Sequence, residues 1–397
     1  MKKPINWQSV KKDKASIIVL AAAAVVFIIA IVLIYSEDIL SMEEDIFSPY
    51  GDEMVEFDKA SVNQVLSEDI EFDEDADHSY VGSQELDVTV KSGRYKNETM
   101  VAYNFFGPLS GIPVSAGDGV VLTIKTHADG STYATVYEFN RIPYLAVFIL
   151  LFAAAVVIIG GRTGLKSTVG LIFTILCLFT VLIPLVLKGA PPVITTFIIC
   201  TYIALVCFTI LGGVHRKTIS AFLGTVSGAL LAMLFGLAAQ HIVRVNGYMS
   251  DAAEPLLQLK YYSGAVINIQ GLKVASIIIC SLGAVMDVAM SIASALEEVH
   301  TANPSLKRKD LFRSGMNIGR DMVGTMTNTL ILALLGSELS LIIFIYSRGL
   351  TFYHLFSTIF VSMETVSGIS SSIGMVLAIP LTALISSVLI TGKKRKT

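Results

Sequence analysis

One row of polar side chains lies inside an otherwise apolar stretch of this sequence, residues 274–295. Asp287, Ser291, Ser294 and Glu298 follow one another at intervals of four, three and four residues. This spacing places them on one face of an α-helix. A carboxylate at membrane depth costs about 2.5 to 3.5 kcal/mol on insertion scales, so it is expected to face the interior of a helix bundle or a water-filled cavity. Asp287 is therefore the first candidate for a binding or proton-relay role.

The next apolar segment carries a second polar face. Its carboxylate, hydroxyl and amide oxygens are hard donors that suit Na⁺, Mg²⁺ or Mn²⁺, and a carboxylate can also carry a proton. Serine and threonine also join membrane helices without binding any ligand, which is the structural alternative for these hydroxyls. We predict an intramembrane polar site whose members are Asp287, Ser291, Ser294, Thr325, Asn328 and Thr329. The secondary candidates are Asp321, Glu338 and Glu364.

The secondary candidates also have structural explanations. Asp321 follows an arginine near the predicted start of a span, where an ion pair and a helix-start acid account for it. Glu338 is either a second station on a polar path or a sign that its span ends early. Glu364 opens a Ser- and Gly-rich stretch, and residues 348–370 are expected to be re-entrant or interfacial. Pro380 predicts a kink or a break in the last span.

Composition indicates which solvent these carboxylates meet. Of the 397 residues, 53% are hydrophobic and 15% are charged, whereas about a quarter are charged in an ordinary soluble protein. About 20 helical residues cross a bilayer core of roughly 30 Å. The sequence predicts a mainly α-helical integral membrane protein with eight such spans, at 15–35, 143–160, 165–187, 193–213, 219–242, 274–295, 322–346 and 371–391.

Charge is distributed unevenly along the chain. Residues 37–141 contain 22 acidic and 6 basic side chains, whereas the remainder contains 10 acidic and 23 basic ones. The positive-inside rule therefore predicts that both termini are cytoplasmic and that residues 36–142 lie outside the membrane. The first span is expected to be an uncleaved anchor, because its apolar run is longer than a signal-peptide core of about 7 to 15 residues.

The exported region is predicted to have two parts. Residues 36–58 are acidic and poor in β-branched residues, as expected of a solvated linker. Residues 59–142 contain about five short segments rich in β-branched and aromatic residues, separated by turn-forming residues. That pattern predicts a small β-barrel, with the OB barrel as one candidate topology. The other predicted parts are two basic cytoplasmic tails, one anchor and a seven-helix domain, at 1–14, 392–397, 15–35 and 143–391.

Cysteine positions and missing motifs exclude several classes of protein. All four cysteines lie in predicted spans, which excludes an exported domain held together by disulfides. The sequence contains no HExxH, GxSxG or P-loop motif, so an enzyme is the least favoured class. It indicates no cofactor and no nucleic-acid partner, it identifies no metal ligands, and it does not predict an oligomeric state.

Three sequence blocks resemble a known family. They read "LGAVMDVAMSIASALEEV" at 282–299, "SGMNIGRDMVGTMTNTLILALLG" at 314–336 and "SSIGMVLAIPLTALIS" at 371–386. These blocks look like the hallmark blocks of the YibE/F family of bacterial membrane proteins. With the preceding spans the resemblance covers residue 143 to the end, and the β-rich region resembles the exported part of longer members. The resemblance implies a multi-pass protein of the bacterial cytoplasmic membrane and carries no residue roles.

Two functions follow from these features. The favoured one is a secondary transporter or exporter of a small solute or cation, with Asp287 binding the cation or relaying a proton. The alternative is a non-catalytic membrane component that binds an envelope or export protein through its exported β-domain. In both, the lipid bilayer is the chain's first partner.

Overall fold

The chain folds into two compact units, Met1–Glu37 with Val157–Thr397, and Asp38–Val156. The computed structural model describes residues 7–36, 54–73, 79–127, 130–249, 253–263, 267–349 and 351–392. The first unit is a helical bundle, and the second contains a β-barrel. The carboxyl-terminal basic tail, part of the amino-terminal tail and most of the predicted acidic linker lie outside the described residues.

The barrel confirms the small β-domain predicted from the sequence. Five strands close it in the order β1-β2-β3-β5-β4, with β3 and β5 parallel and the other pairs antiparallel. This is the strand order of an OB-type Greek-key barrel. The strands are β1 Met54–Asp73, β2 Ser79–Val90, β3 Thr99–Phe106, β4 Gly119–Thr126 and β5 Thr132–Phe139.

The first strand is longer than the predicted domain. β1 begins at Met54, so it includes five residues that the sequence assigned to the linker. Val55 and Phe57 alternate with polar residues there and pair with Lys125 and Thr123 of β4. Strand pairing across the barrel, which local composition does not record, therefore extends β1 into the acidic region.

The rest of the described chain is helical. Its helices are α1 Trp7–Ser36, α2 Ile142–Cys177, α3 Ile183–Leu187, α4 Pro192–Gly212, α5 Arg216–Val243, α6 Ala253–Ser263, α7 Ile269–Ala302, α8 Arg308–Ser337, α9 Leu339–Ser347, α10 Phe352–Ser357 and α11 Ile359–Thr391. Among the described residues, six helices are long and apolar enough to cross a membrane, or seven if the bent pair α8 and α9 counts as one.

Two of the eight predicted spans follow each other directly, with a kink at a glycine between them. Residues Ile142–Leu187 form an apolar stretch of 46 helical residues, continued from α2 to α3 by a π-helical turn at Leu178–Leu182. At 1.5 Å per residue, 46 residues contain about 69 Å of helix, more than twice the thickness of the bilayer core. Gly161, with φ 54° and ψ −132°, interrupts the helical geometry between the two predicted spans.

The last helix corrects two expectations. α11 begins at Ile359, 12 residues before the predicted start at 371, and continues through Pro380 without ending. Residues 359–370, expected to be re-entrant or interfacial, are therefore part of a continuous helix. Within the remainder of that segment, α10 is a short helix of six residues.

In the Ser- and Gly-rich stretch, two buried serines bond to main-chain carbonyls of the bundle, whereas the Ser372 hydroxyl has no hydrogen-bond partner among the described residues. Ser367 Oγ donates to the Met363 carbonyl at 2.9 Å, and Ser371 Oγ donates to the Ile277 carbonyl of α7 at 3.3 Å. Both serines are buried. A hydroxyl that bonds to a main-chain carbonyl is tolerated inside a membrane helix, so this polar sequence does not require irregular backbone.

Small residues determine how closely the central helices pack. A Cβ atom at Gly228 of α5 would lie 2.7 Å from Ala378 Cβ of α11 and 2.7 Å from Val285 Cγ1 of α7. Real Cβ atoms do not approach other atoms so closely. The three helices can therefore approach this closely at Gly228 only because glycine has no side chain.

The Gly228→Ala variant tests this packing. We expect a clear fall in thermal stability, because overpacking a filled interior costs about 1 to 3 kcal/mol. Gly336→Ala is the matched control, since a Cβ there meets nothing within 4 Å. Size-exclusion profiles after heating the detergent-solubilised proteins measure the effect. Equal stability of both variants would contradict the packing argument.

Candidate functional site

Asp287 lies near the middle of α7. It is 18 residues after the first residue of that helix and 15 before the last, which places it about 20 Å or more from each end. Its side chain is exposed on the surface of the bundle. Val285, Ile292 and Leu296, on the opposite face, are fully buried. Within the described residues the Asp287 carboxylate has no hydrogen-bond or ion-pair partner.

The other residues of the α7 row follow the same side. Ser291 is exposed and Ser294 is half-buried. Glu298 is exposed toward the end of the helix. The neighbouring Glu297 instead points toward α5, where Lys217 Nζ lies 3.5 Å from its Oε2. The polar row predicted from spacing is thus a continuous outer face of α7.

The polar residues of α8 are exposed as well. Asp321, Thr325, Asn328 and Thr329 all lie on the surface of that helix. Thr325 Oγ1 donates to the Met322 carbonyl at 3.1 Å, and Thr329 Oγ1 donates to the Thr325 carbonyl at 2.8 Å. Both hydroxyls are therefore satisfied by their own helix. The Asn328 amide has no hydrogen-bond partner among the described residues.

Asp321 does not stand at a helix start. α8 begins at Arg308, 13 residues earlier, so the explanation of Asp321 as a helix-start acid is wrong. No ion pair joins it to Arg320 in the described part of the chain. The helix extends further toward its amino terminus than the apolar run because its basic first turns also pack against the bundle, where Leu311 is fully buried.

Packing between α7 and α8 fixes their relative depth. A Cβ at Gly315 would lie 3.0 Å from Leu296 Cδ1, and a Cβ at Gly319 would lie 3.5 Å from Ile292 Cδ1. The two helices are therefore antiparallel, since a step of one turn forward along α8 corresponds to a step of one turn backward along α7. Continuing this register places Asp287 level with Gly324 and adjacent to the level of Thr325.

A second group of carboxylates lies elsewhere in the bundle. Glu338 and Glu364, 26 residues apart in sequence, line one cavity of about 160 Å³ between α8, α9 and α11. Its other walls are mainly apolar, including Ile331, Leu335 and Phe360. The structure therefore brings together two of the three secondary candidates, and it separates them from the Asp287 face.

Glu364 is held by a lysine that the sequence analysis did not select. Lys273 Nζ donates to Glu364 Oε1 at 2.5 Å, and the two side chains are 15% and 33% exposed. Lys273 precedes the predicted span at 274, where it reads as a loop charge. Because α7 begins four residues earlier, at Ile269, the lysine is instead part of the helix. The local signal is Asn268, which caps α7 by accepting a hydrogen bond from the Gly271 N–H at 3.2 Å and so starts the helix ahead of Lys273.

Glu338 occupies a break in the helix. α8 ends at Ser337 and α9 begins at Leu339, and the two helices are bent by 63°. The helix ends directly before Glu338, as one of the two interpretations of this residue expected, and the carboxylate lines the cavity described above. A second station on a polar path stays a prediction. The Glu338 side chain has no hydrogen-bond or ion-pair partner among the described residues. Broken helices at membrane depth occur where the backbone is buried in protein or faces a cavity.

Comparison with known proteins places these features in a family. The model of the YibE/F-like protein family matches residues 148–392. This chain belongs to the YibE/F-like family. The resemblance inferred from three sequence blocks is confirmed, since all three lie inside the matched region. No curated protein matches the chain, and no solved structure does.

Membership of the YibE/F-like family and the apolar helices together indicate a multi-pass membrane protein. The matched region of this YibE/F-like chain includes the Asp287 face, the cavity with Glu338 and Glu364, and Lys273. It does not include the barrel. Among the described residues, no group of three or more His, Cys, Asp or Glu side chains is placed to hold a metal ion.

The Lys273 and Glu364 pair yields a stability prediction. Lys273→Gln or Glu364→Gln should each lower the melting temperature, because a hydrogen bond between charged groups contributes about 1.5 to 3 kcal/mol and its loss leaves the other charge unpaired. The exchange of the two residues, Lys273→Glu with Glu364→Lys, should recover most of the loss. Thermal unfolding of the purified chain, treated as a double-mutant cycle, gives the coupling energy.

The surface pair of Lys217 with Glu297 is the matched control. Its atoms are 3.5 Å apart and its side chains are 32% and 38% exposed, so its removal should cost less. Equal losses for the two pairs, or no recovery on exchange, would show that the pairing of Lys273 with Glu364 adds no stability of its own.

Proposed function

We propose that this chain is a secondary transporter or exporter that moves a small cation or cation-coupled solute across the bacterial cytoplasmic membrane. The observation that supports it best is the break between α8 and α9, where Glu338 lines a cavity with Glu364. Transporters commonly bind substrate and coupling ions at discontinuous helices. Nothing in a purely structural bundle requires a carboxylate at such a break.

The proposal includes a membrane topology of eight spans. The run Ile142–Leu187 would be two spans that meet at Gly161, and α8 with α9 would be one broken span. Both termini would be cytoplasmic and the barrel would lie outside, as the distribution of basic residues favours. Under this topology Lys273, Glu338 and Glu364 belong to the outer half of the bundle.

The chemistry of the cavity suits a small positively charged ligand. Glu338 offers an unpaired carboxylate, and Glu364 offers a second one that is occupied by Lys273. Carboxylate oxygens bind Na⁺ or a proton, and a cavity of about 160 Å³ holds a small ion with a few waters. A cation that binds both glutamates competes with Lys273 for Glu364. Binding of the cation at the helix break would therefore be coupled to release of the lysine from Glu364.

The Asp287 face would be a second polar station deeper in the membrane. Glu338 is 14 residues beyond Gly324, the residue level with Asp287, which corresponds to about 21 Å along the helix. The predicted site at Asp287 and the cavity at Glu338 are therefore separate, and a path between them would cross much of the bilayer. In this proposal Asp287 relays the proton or cation that the outer cavity admits.

The Glu338→Gln variant tests the proposal. In vesicles reconstituted with the full chain, ²²Na⁺ uptake and proton flux should both be measured under imposed gradients. We expect Glu338→Gln to lower the active flux at least ten-fold, because it removes the free carboxylate without changing side-chain size. Glu298→Gln, at the exposed end of α7, is the matched control and should retain the flux.

Asp287→Asn should also lower the flux, provided that its abundance and monodispersity match those of the wild type. If both the Glu338→Gln and the Asp287→Asn variants retain the flux of the wild type, these carboxylates are rejected as transport groups. If the wild type moves neither ion, export of a solute must be tested with inside-out vesicles. If no solute is exported in that test either, transport is rejected.

One observation favours partner binding by the barrel as a second candidate. Tyr103 and Tyr133 stack with ring centroids 5.6 Å apart, and Phe57 and Tyr137 meet edge to face at 5.2 Å. All four side chains are exposed. Exposed aromatic residues are enriched at protein interfaces, where they bury much area at little entropic cost.

A photo-crosslinking side chain at Tyr133 tests the barrel. In cells, the full chain should then yield a discrete adduct with an envelope or export protein. The same group at Lys91, at the exposed end of β2, is the control and should yield none. Loss of function on deletion of residues 59–141 would support this candidate, whereas an unchanged phenotype together with no adduct would reject it.

A further inference from the structure

The outer face of α7 and α8 combines groups that a bilayer does not tolerate unpaired. Asp287 and Asn328 are exposed and have no hydrogen-bond partners within the described part of the chain. Both lie well inside their helices, so lipid tails would surround them in a single copy. A carboxylate or an amide that faces hydrocarbon is costly, so this face requires a cover.

The two groups cannot satisfy each other within one chain. Gly319 faces Ile379 of α11 and, at a longer distance, Ile292 of α7, and Asn328 is nine residues further along α8, which is two and a half turns. The amide therefore points away from the contact between the two helices. Asp287 likewise lies on the side of α7 opposite Val285 and Leu296. One face thus presents an acceptor on α7 and a donor on α8, side by side and both directed outward.

We infer that this face is the interface between two copies of the chain, in which the Asn328 amide of each copy donates to Asp287 of the other, and Thr325, whose hydroxyl bonds to its own helix, packs beside them. A two-fold axis along the membrane normal keeps every residue at its own depth. The register within one copy places Asp287 level with Gly324, so α7 of one copy meets α8 of its partner at the same level. The two-fold axis then generates two equivalent pairs, each with a donor on α8 of one copy and an acceptor on α7 of the other.

Backbone geometry permits the approach that such an interface needs. A Cβ atom at Gly283 or at Gly324 would meet nothing within 4 Å, so both glycines are open on this face. Gly283 lies one turn from Asp287, and Gly324 precedes Thr325. Small residues one turn from a polar group allow membrane helices to approach closely enough for hydrogen bonds between them. A different protein would have to reproduce both the donors and the depths, which a second copy supplies by symmetry.

Cross-linking tests the interface in the full-length chain. Gly283→Cys combined with Gly324→Cys places a thiol on each helix of the face, and a short bismaleimide should join two copies in native membranes. The wild type, which keeps its four cysteines, is the control. A product at twice the 42.7 kDa chain mass supports the inference. A product that contains a different protein, or cross-linking within one chain only, overturns it.

The hydrogen-bond pairing has its own test. Native mass spectrometry of the detergent-solubilised wild type should show the dimer, and Asp287→Leu with Asn328→Leu should raise its dissociation constant at least ten-fold. Ser227→Leu, at a half-buried position on α5, is the control and should leave the dimer unchanged. The exchange Asp287→Asn with Asn328→Asp should retain the dimer, because donor and acceptor only trade places. A monomeric wild type, or leucine variants that dimerise normally, overturns the pairing.

Discussion

The architecture depends on the close approach of three helix backbones, α5, α7 and α11. Lipid tails are as apolar as leucine, so helices in a bilayer gain little from hiding apolar side chains and associate through tight packing. Gly228 removes a side chain where Ala378 and Val285 approach. The same closeness lets Ser371 reach a carbonyl of α7. A helix with many hydroxyls can therefore occupy the centre of the bundle, since hydroxyls such as those of Ser367 and Ser371 reach a backbone acceptor.

This packing decides which way the remaining faces point. α8 uses Gly315 and Gly319 to lie against α7 and α11, and α7 uses Ile292 and Leu296 for the same contact. Once those faces are occupied, Asp287 and Asn328 have only the outer surface left. Their exposure is thus a consequence of where glycine permits contact. Asp287 and Asn328 are left outside because Ile292, Leu296 and other closely packed side chains fill the contact between these helices.

The outer cavity follows a different physical rule. Glu364 would be costly alone at its depth, and Lys273 from the neighbouring helix compensates it. Glu338 has no such cation in the described part of the chain, and it occurs where the helix breaks and the backbone can turn. One carboxylate is therefore neutralised within the protein while the other is free to meet a ligand or a proton. The two carboxylates of the cavity therefore differ in what they can bind, because only one of them is paired with a lysine.

Sequence patterns predicted the faces but not their directions. The spacing of Asp287, Ser291 and Ser294 defines one side of a helix, as the structure shows. In a soluble protein the apolar side of such a helix would identify the interior. In a membrane both lipid and core are apolar, so Val285 and Leu296 fit either environment and periodicity leaves the orientation open. Lys273 was missed for a related reason: hydropathy ends a span at the first charge, whereas the helix continues if a partner such as Glu364 compensates that charge. Tertiary contact, which single-sequence patterns do not contain, supplies both pieces of information.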